Sequence, residues 1–192
     1  MPFALRLAQR RDVPALEALI PLSARKLQAA HYSPPQIDGA LGTVFAVDRQ
    51  LIADSTYFVV EDPTGIVGCG GWSKRRTLFG GDRGRAAAED ALLDPARDAA
   101  RVRAFFVHPR CARRGIGSLI LRECERAAVA AGFRTLELAA TLAGERLYAA
   151  RGFRATERFD IALANGLAMP VVRMSKSIGR DSPSSGGDSI HP

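Results

Sequence analysis

RVRAFFVHPRCARRGIGSLILRECERAAVAA, Arg101 to Ala131, reads as a strand, a turn with paired arginines and two glycines, and an amphipathic helix. Val102 to Val107 is rich in β-branched and aromatic residues, which fit a pleated, half-buried surface. Pro109 lacks a backbone N–H and restricts His108 before it, so the strand should end there. From Ile116 onward Leu119, Ile120, Cys124, Ala127, Ala128 and Ala131 recur at three- and four-residue steps, which predicts one buried helical face. Arg122, Glu123, Glu125 and Arg126 fall mostly outside it.

The turn carries the chemistry. A helix start leaves backbone N–H groups without intrahelical partners, and the macrodipole adds about half a positive charge there. Gly115 and Gly117 have no side chains to keep an anion from the backbone, and Arg113 and Arg114 add full charges. Together they suit a phosphate or pyrophosphate, the plain alternative being a solvated turn. Two familiar phosphate loops are excluded. A Walker loop needs Gly-Lys-Ser/Thr where Gly117 is followed by Ser118 and Leu119, and a dinucleotide fingerprint needs glycine or alanine where Ile120 stands.

Phe105-Phe106-Val107-His108-Pro109 followed by Ala112-Arg113-Arg114-Gly115-Ile116-Gly117 resembles the acyl-CoA pyrophosphate loop of the GNAT superfamily of N-acyltransferases. Downstream, a strand over Thr135 to Ala140 and then Leu147-Tyr148-Ala149-Ala150-Arg151-Gly152-Phe153 is similar to the family's Tyr-x-x-x-Gly-Phe signature. One departure is Ala112, where the family's loop usually opens with Gln or Arg; any contact from that side chain is lost, while backbone contacts need not be.

The resemblance implies an α+β fold, layered α/β/α, with a mixed, mostly antiparallel sheet of about six to seven strands flanked by helices. It implies transfer of an acetyl group from acetyl-CoA, without a metal, to a primary amine of a small molecule or peptide, by direct attack in a ternary complex. The backbone of Phe105, Phe106 and Val107 would meet the pantetheine arm and thioester oxygen. The loop from Ala112 through Arg113, Arg114, Gly115, Ile116 and Gly117 to Ser118 would take the diphosphate, and Thr141 would contact the arm or sulfur. Tyr148 matches the tyrosine that protonates the departing thiolate, although a tyrosine on a short amphipathic helix is also ordinary core. Glu137 is the candidate base, ahead of Glu61 and His31, and a reaction with no dedicated base stays open. Family members are often dimers, so the resemblance allows a homodimer.

Composition fits this picture. At 192 residues, 47% apolar and 24% charged, the chain has ample material for one core. We expect a domain over 1–178 and a mobile tail over 179–192, whose Ser-, Gly- and Pro-rich composition cannot build a core. There is no run of eighteen apolar residues, no apolar leader near the start, and an odd set of cysteines (Cys69, Cys111, Cys124) without metal-ligand spacing, so the expectation is a cytoplasmic protein with reduced thiols and no membrane partner. The net charge is +7, and Lys74 to Arg114 holds eleven basic against five acidic residues. Such a patch favours a polyanion; CoA fits, and nucleic acid is the weaker rival because no recognition motif accompanies it.

Elsewhere, Phe3, Leu5 and Leu7 alternate as a first strand, and Asp12 with Pro14 opens a helix that Pro21 should disturb near its end. A second helical region is expected over Pro35 to Phe45, with Ile37, Leu41, Val44 and Phe45 inward. Thr56 to Glu61 and Ile66 to Trp72 form a hairpin around Asp62-Pro63-Thr64-Gly65, and Gly68, Gly70 and Gly71 mark a bulge or a close approach. Ser73 to Ala100 has no clear pattern beyond a turn at Phe79-Gly80-Gly81-Asp82 and a short helix over Ala86 to Leu93; it is expected to be a partly ordered flap over the acceptor pocket. Gly132 should cap the central helix, and Asn165-Gly166 should join a last hairpin, Glu157–Leu163 with Ala168–Lys176. Two readings compete with the enzyme: a non-catalytic acyl-CoA-binding sensor and a nucleic-acid-binding domain.

Overall fold

Among the described residues every strand joins one sheet, whose order is β1-β2-β3-β4-β5-β7-β6. The computed structural model describes residues 3–80 and 91–178. The elements are β1 (Ala4–Leu7), α1 (Val13–Leu27), α2 (Pro34–Ala40), α3 (Arg49–Ala53), β2 (Tyr57–Asp62), β3 (Gly65–Ser73), β4 (Ala100–Val107), α4 (Ile116–Ala130), β5 (Thr135–Thr141), α5 (Glu145–Ala149), β6 (Arg154–Ala162) and β7 (Ala168–Ser177). All neighbouring strands run antiparallel except β4 and β5, whose parallel pairing needs the crossover that α4 supplies.

Side-chain alternation along the strands divides the interior into two layers. Phe58, Val60, Val102, Leu136, Leu138 and Met174 face α4, together with Tyr148 and Phe153. Tyr57, Val59, Cys69, Phe106, Val171 and Met169 face α1, α2 and α3. The helical stripe on α4 is Ile116, Ile120, Leu121, Cys124 and Ala128. It differs from the stripe that periodicity predicts: Leu121 joins it, Ala131 is exposed, and Leu119 and Ala127 are half-buried. Ile116 sets the rotation of the helix. A Cβ on Gly68 of β3 would collide with its Cγ2, so the helix seats where β3 has no side chain. Burying each such branched side chain contributes about 1.5–3 kcal/mol.

The ends follow local rules. At Gly132, φ 92, the Gly132 N–H reaches the Val129 carbonyl and the Phe133 N–H the Ala128 carbonyl, both at 3.0 Å, a left-handed cap of the expected kind. Ser33 and Gln36 cap α2 reciprocally, and Asp48 caps α3 through the Leu51 N–H at 3.2 Å. The last hairpin turns at Gly166 with φ 79, and its strands run longer than expected.

Three expectations are corrected. Pro21 lies inside α1, which continues to Leu27; the layer beneath it, with Leu19, Ile20, Ser23 and Ala24 buried, outweighs one missing N–H. The helix over Pro35 to Phe45 is only α2, because Leu41 is extended and Gly42 turns left-handed at φ 79; Phe45 returns by a bond from its N–H to the Ala40 carbonyl at 2.8 Å. Ala91 to Leu93 is not helical: Leu92 bridges Arg75 antiparallel, and the Leu93 N–H meets the Lys74 carbonyl at 2.8 Å. The rest of that expected helix, the second half of the Gly80-Gly81 turn, residues 81–90 of the flap and the tail over 179–192 lie outside the described residues.

Candidate active site where two parallel strands separate

β4 and β5 pair through only two positions, Ala100 with Leu136 and Arg101 with Glu137. Beyond them the strands part, while β5 stays paired with β7 along its whole length. The cause lies in β4. Its register with β3 slips between Cys69 and Gly71, and Ala104 takes φ 60, a left-handed conformation that costs a non-glycine residue about 1–2 kcal/mol. The Ala104 carbonyl is held by the Tyr57 hydroxyl at 3.2 Å, with the Cys69 thiol 3.9 Å away. Beyond the bulge, alternate N–H groups of β4 face the opening. That of Val107 donates to Ser23 Oγ of α1 at 3.2 Å, and Phe105 has no ladder partner on that side because β5 has departed.

At the open end β4 runs into the glycine turn. His108 Nδ1 accepts the Arg110 N–H, and the Cys111 and Ala112 N–H groups close a short 3₁₀ turn onto His108 and Pro109. Arg113 at φ 65 and Gly115 at φ 84 then aim the following peptides outward. Among the described residues no N–H from Arg113 to Ser118 has an acceptor; the first paired one is that of Leu119, to the Gly115 carbonyl. Gly117 lies beneath Leu147 of α5, and a Cβ there would come within 2.9 Å of it. Arg151, for which the sequence carries no signal, donates to Ser118 Oγ at 3.1 Å. Arg114 folds back over the Phe3 ring, 4.9 Å from its centroid, while Arg113 is exposed.

Tyr148 stands beside the opening, 8% exposed, edge-on to Phe105 (6.1 Å) and Phe153 (5.8 Å). Burial pushes its phenol well above the ordinary range, so the hydroxyl keeps its proton, and among the described residues it has no hydrogen-bond partner. Thr141, at the end of β5, accepts the Gly144 N–H on Oγ1 at 3.2 Å and so fixes the start of α5. On the other face Tyr32, not His31, ties the α1–α2 connection to the sheet: its hydroxyl donates to the Pro170 carbonyl at 2.7 Å and accepts the Leu142 N–H at 2.9 Å. His31 is exposed.

Glu137 sits at the closed end of the split, between Arg101 (2.8 Å) and Arg173 (3.4 Å). Glu61 lies on β2, paired with Arg6 at 2.5 Å and separated from the opening by β3. The basic run from Lys74 to Arg114 is also less free than its composition implies: Arg75 pairs with Asp54, Arg101 with Glu137, Arg103 with Asp48 and Arg110 with Asp62. Among the described residues no group of His, Cys, Asp and Glu side chains could hold a metal ion, and no helix is long and apolar enough to cross a membrane.

Solved structures share this architecture. A GCN5-related N-acetyltransferase from Rhodopseudomonas palustris is 22% identical, with TM-score 0.68 over 92% of this chain and 96% of that one. PaiA N-acetyltransferase from Thermoplasma acidophilum, in complex with coenzyme A, is 13% identical, with TM-score 0.63 over 92% and 99%. YncA from Salmonella typhimurium, with its cofactor acetyl-CoA, is 16% identical, with TM-score 0.63 over 97% and 99%. At these identities the likeness establishes the fold. No curated protein matches the sequence. The family model described as an acetyltransferase (GNAT) domain matches residues 53–155, a span running from the end of α3 to the start of β6 that holds the bulged strand, the glycine turn and Tyr148. With more than half of its length inside that match, the chain belongs to the GNAT acetyltransferase family.

Proposed function

We propose that this acyltransferase moves an acetyl group from acetyl-CoA to a primary amine of a small molecule or peptide, by direct attack within a ternary complex. The observation that carries the reading is the run of unpaired N–H groups from Arg113 to Ser118, opening beside the split between β4 and β5. Donors so arranged fit the diphosphate of CoA, with Arg113 and Arg151 close at hand, and Gly115, with open space where a Cβ would stand, leaves the backbone approachable. Ala112 shapes the turn, since its own N–H is spent on Pro109. Phe105, Phe106 and Val107 would flank the pantetheine arm, and Thr141 would border it from β5. The solved relatives that hold CoA and acetyl-CoA support the choice of donor.

In the reaction the amine nitrogen bonds to the thioester carbon, the carbon–sulfur bond breaks, and one amine proton is lost. An alkylammonium of ordinary pKa is only about 0.1% or less deprotonated at pH 7, so that loss must be assisted. Glu137 has both its oxygens directed at guanidinium groups, so we assign it the task of fixing the closed end and leave deprotonation to water. Tyr148 holds its proton too tightly to give it outright to a thiolate, so it serves by donating a hydrogen bond to the departing sulfur.

Calorimetry with acetyl-CoA and a thiol-release assay over a panel of amines test the reading. Tyr148→Phe should bind acetyl-CoA within about threefold of wild type while its turnover falls by about 10- to 100-fold. Binding without turnover by the wild type on any amine would instead make the chain an acyl-CoA sensor, and absence of binding at millimolar ligand would defeat both.

A further inference from the structure

The bulge in β4 is held from two strands away. Tyr57 pairs with Gly71 of β3, is wholly buried, and passes its ring beneath that glycine: a Cβ on Gly71 would come within 2.9 Å of Tyr57 Cδ2. The ring thereby crosses β3 and its hydroxyl reaches the Ala104 carbonyl at 3.2 Å. The Ala104–Phe105 peptide is trans, so its carbonyl and N–H point opposite ways. With the carbonyl drawn toward Tyr57 and β3, the Phe105 N–H is driven toward the side β5 has vacated. The Phe105 ring lies over Gly70 and against Tyr148, on the face where the leaving sulfur is proposed to sit.

We propose that Tyr57 is a positioning residue for catalysis: by hydrogen-bonding the left-handed Ala104 it aims the Phe105 N–H at the thioester oxygen. This rests on the acetyl-transfer reading above. Left-handed alanine is strained, and without the hydroxyl its peptide can relax and turn the N–H away from the opening. The Cys69 thiol, 3.9 Å from the same carbonyl, is too weak a donor to replace it. Burial raises the Tyr57 phenol well above its ordinary range and the Cys69 thiol to about 12, so both remain protonated at any working pH.

Tyr57→Phe removes one oxygen from a buried ring and leaves the diphosphate turn and Tyr148 untouched. The turnover number is expected to fall at least tenfold, with KM for acetyl-CoA within about twofold of wild type and a retained melting transition. A turnover number within twofold of wild type would overturn the proposal, as would a loss confined to KM. An amide spectrum of ¹⁵N-labelled wild type supplies a second reading that needs no variant and no acceptor amine. Acetyl-CoA should displace the Phe105 N–H resonance relative to CoA, because only the thioester carries the carbonyl, and Tyr57→Phe should abolish that difference. Binding of acetyl-CoA with no such difference in the wild type defeats this inference alone; no binding of either ligand defeats the acetyl-transfer reading beneath it.

Discussion

A single glycine with no space above it stands at the start of α4. Gly117 is in the first turn of α4 and meets Leu147, so Gly117→Val must push α5 aside just where the unpaired N–H groups open. Calorimetry should show acetyl-CoA affinity falling by tenfold or more, with little change in the far-ultraviolet dichroism. Gly115 differs, since a Cβ there would meet nothing within 4 Å and its constraint is φ 84. There Gly115→Ala should cost about 1 kcal/mol of stability by denaturant titration, from left-handed strain alone. The Tyr-x-x-x-Gly-Phe signature makes Tyr148 legible in the sequence. Tyr57, Ser23 and Arg151 carry no signature, because each acts on a residue far away along the chain: Ala104, Val107 and Ser118.

The elements meet through glycines. α4 lies on β3 because Gly68 leaves room for Ile116, and Phe105 lies on β3 because Gly70 leaves room for its ring. Adding a methyl group at Gly68 should therefore lift the helix from the sheet. Gly68→Ala is expected to destabilise by about 1–3 kcal/mol in urea unfolding, an overpacking cost, whereas a substitution that leaves the midpoint unchanged would show that the contact is slack. Gly68, Gly70 and Gly71 of β3 are readable as a bulge or a close approach, and both prove true: the ladder slips between Cys69 and Gly71, and α4 and Phe105 crowd in. The reach of α1 is not legible in the same way, because Pro21 is a local signal while the burial that carries the helix past it is set by the sheet below.

Across the whole molecule, acid should loosen the sheet edges and the entry to β2. Arg6 holds the Asp12 carboxyl below its usual range, and Arg75 does the same to Asp54. Each folded carboxyl thus binds its proton less readily than in the unfolded chain, near 3.9, so stability is fully present above that pH. It is lost as pH falls through the folded values, and the melting temperature should drop steadily from about pH 4 downward. Asp54→Asn should flatten part of that slope, and a slope unchanged in the variant would remove Asp54 from the account. The sequence by itself determined the strand–turn–helix at residues 101–131, the hairpins and the family, because capping, periodicity and turn chemistry act over a few residues. Only the tertiary structure decided that β4 and β5 part after two pairs, that Glu137 is locked between arginines, and that Arg75, Arg101, Arg103 and Arg110 of the basic run are paired with carboxylates. Those outcomes depend on which distant side chains share a face of the sheet, and that is fixed by register and packing across strands.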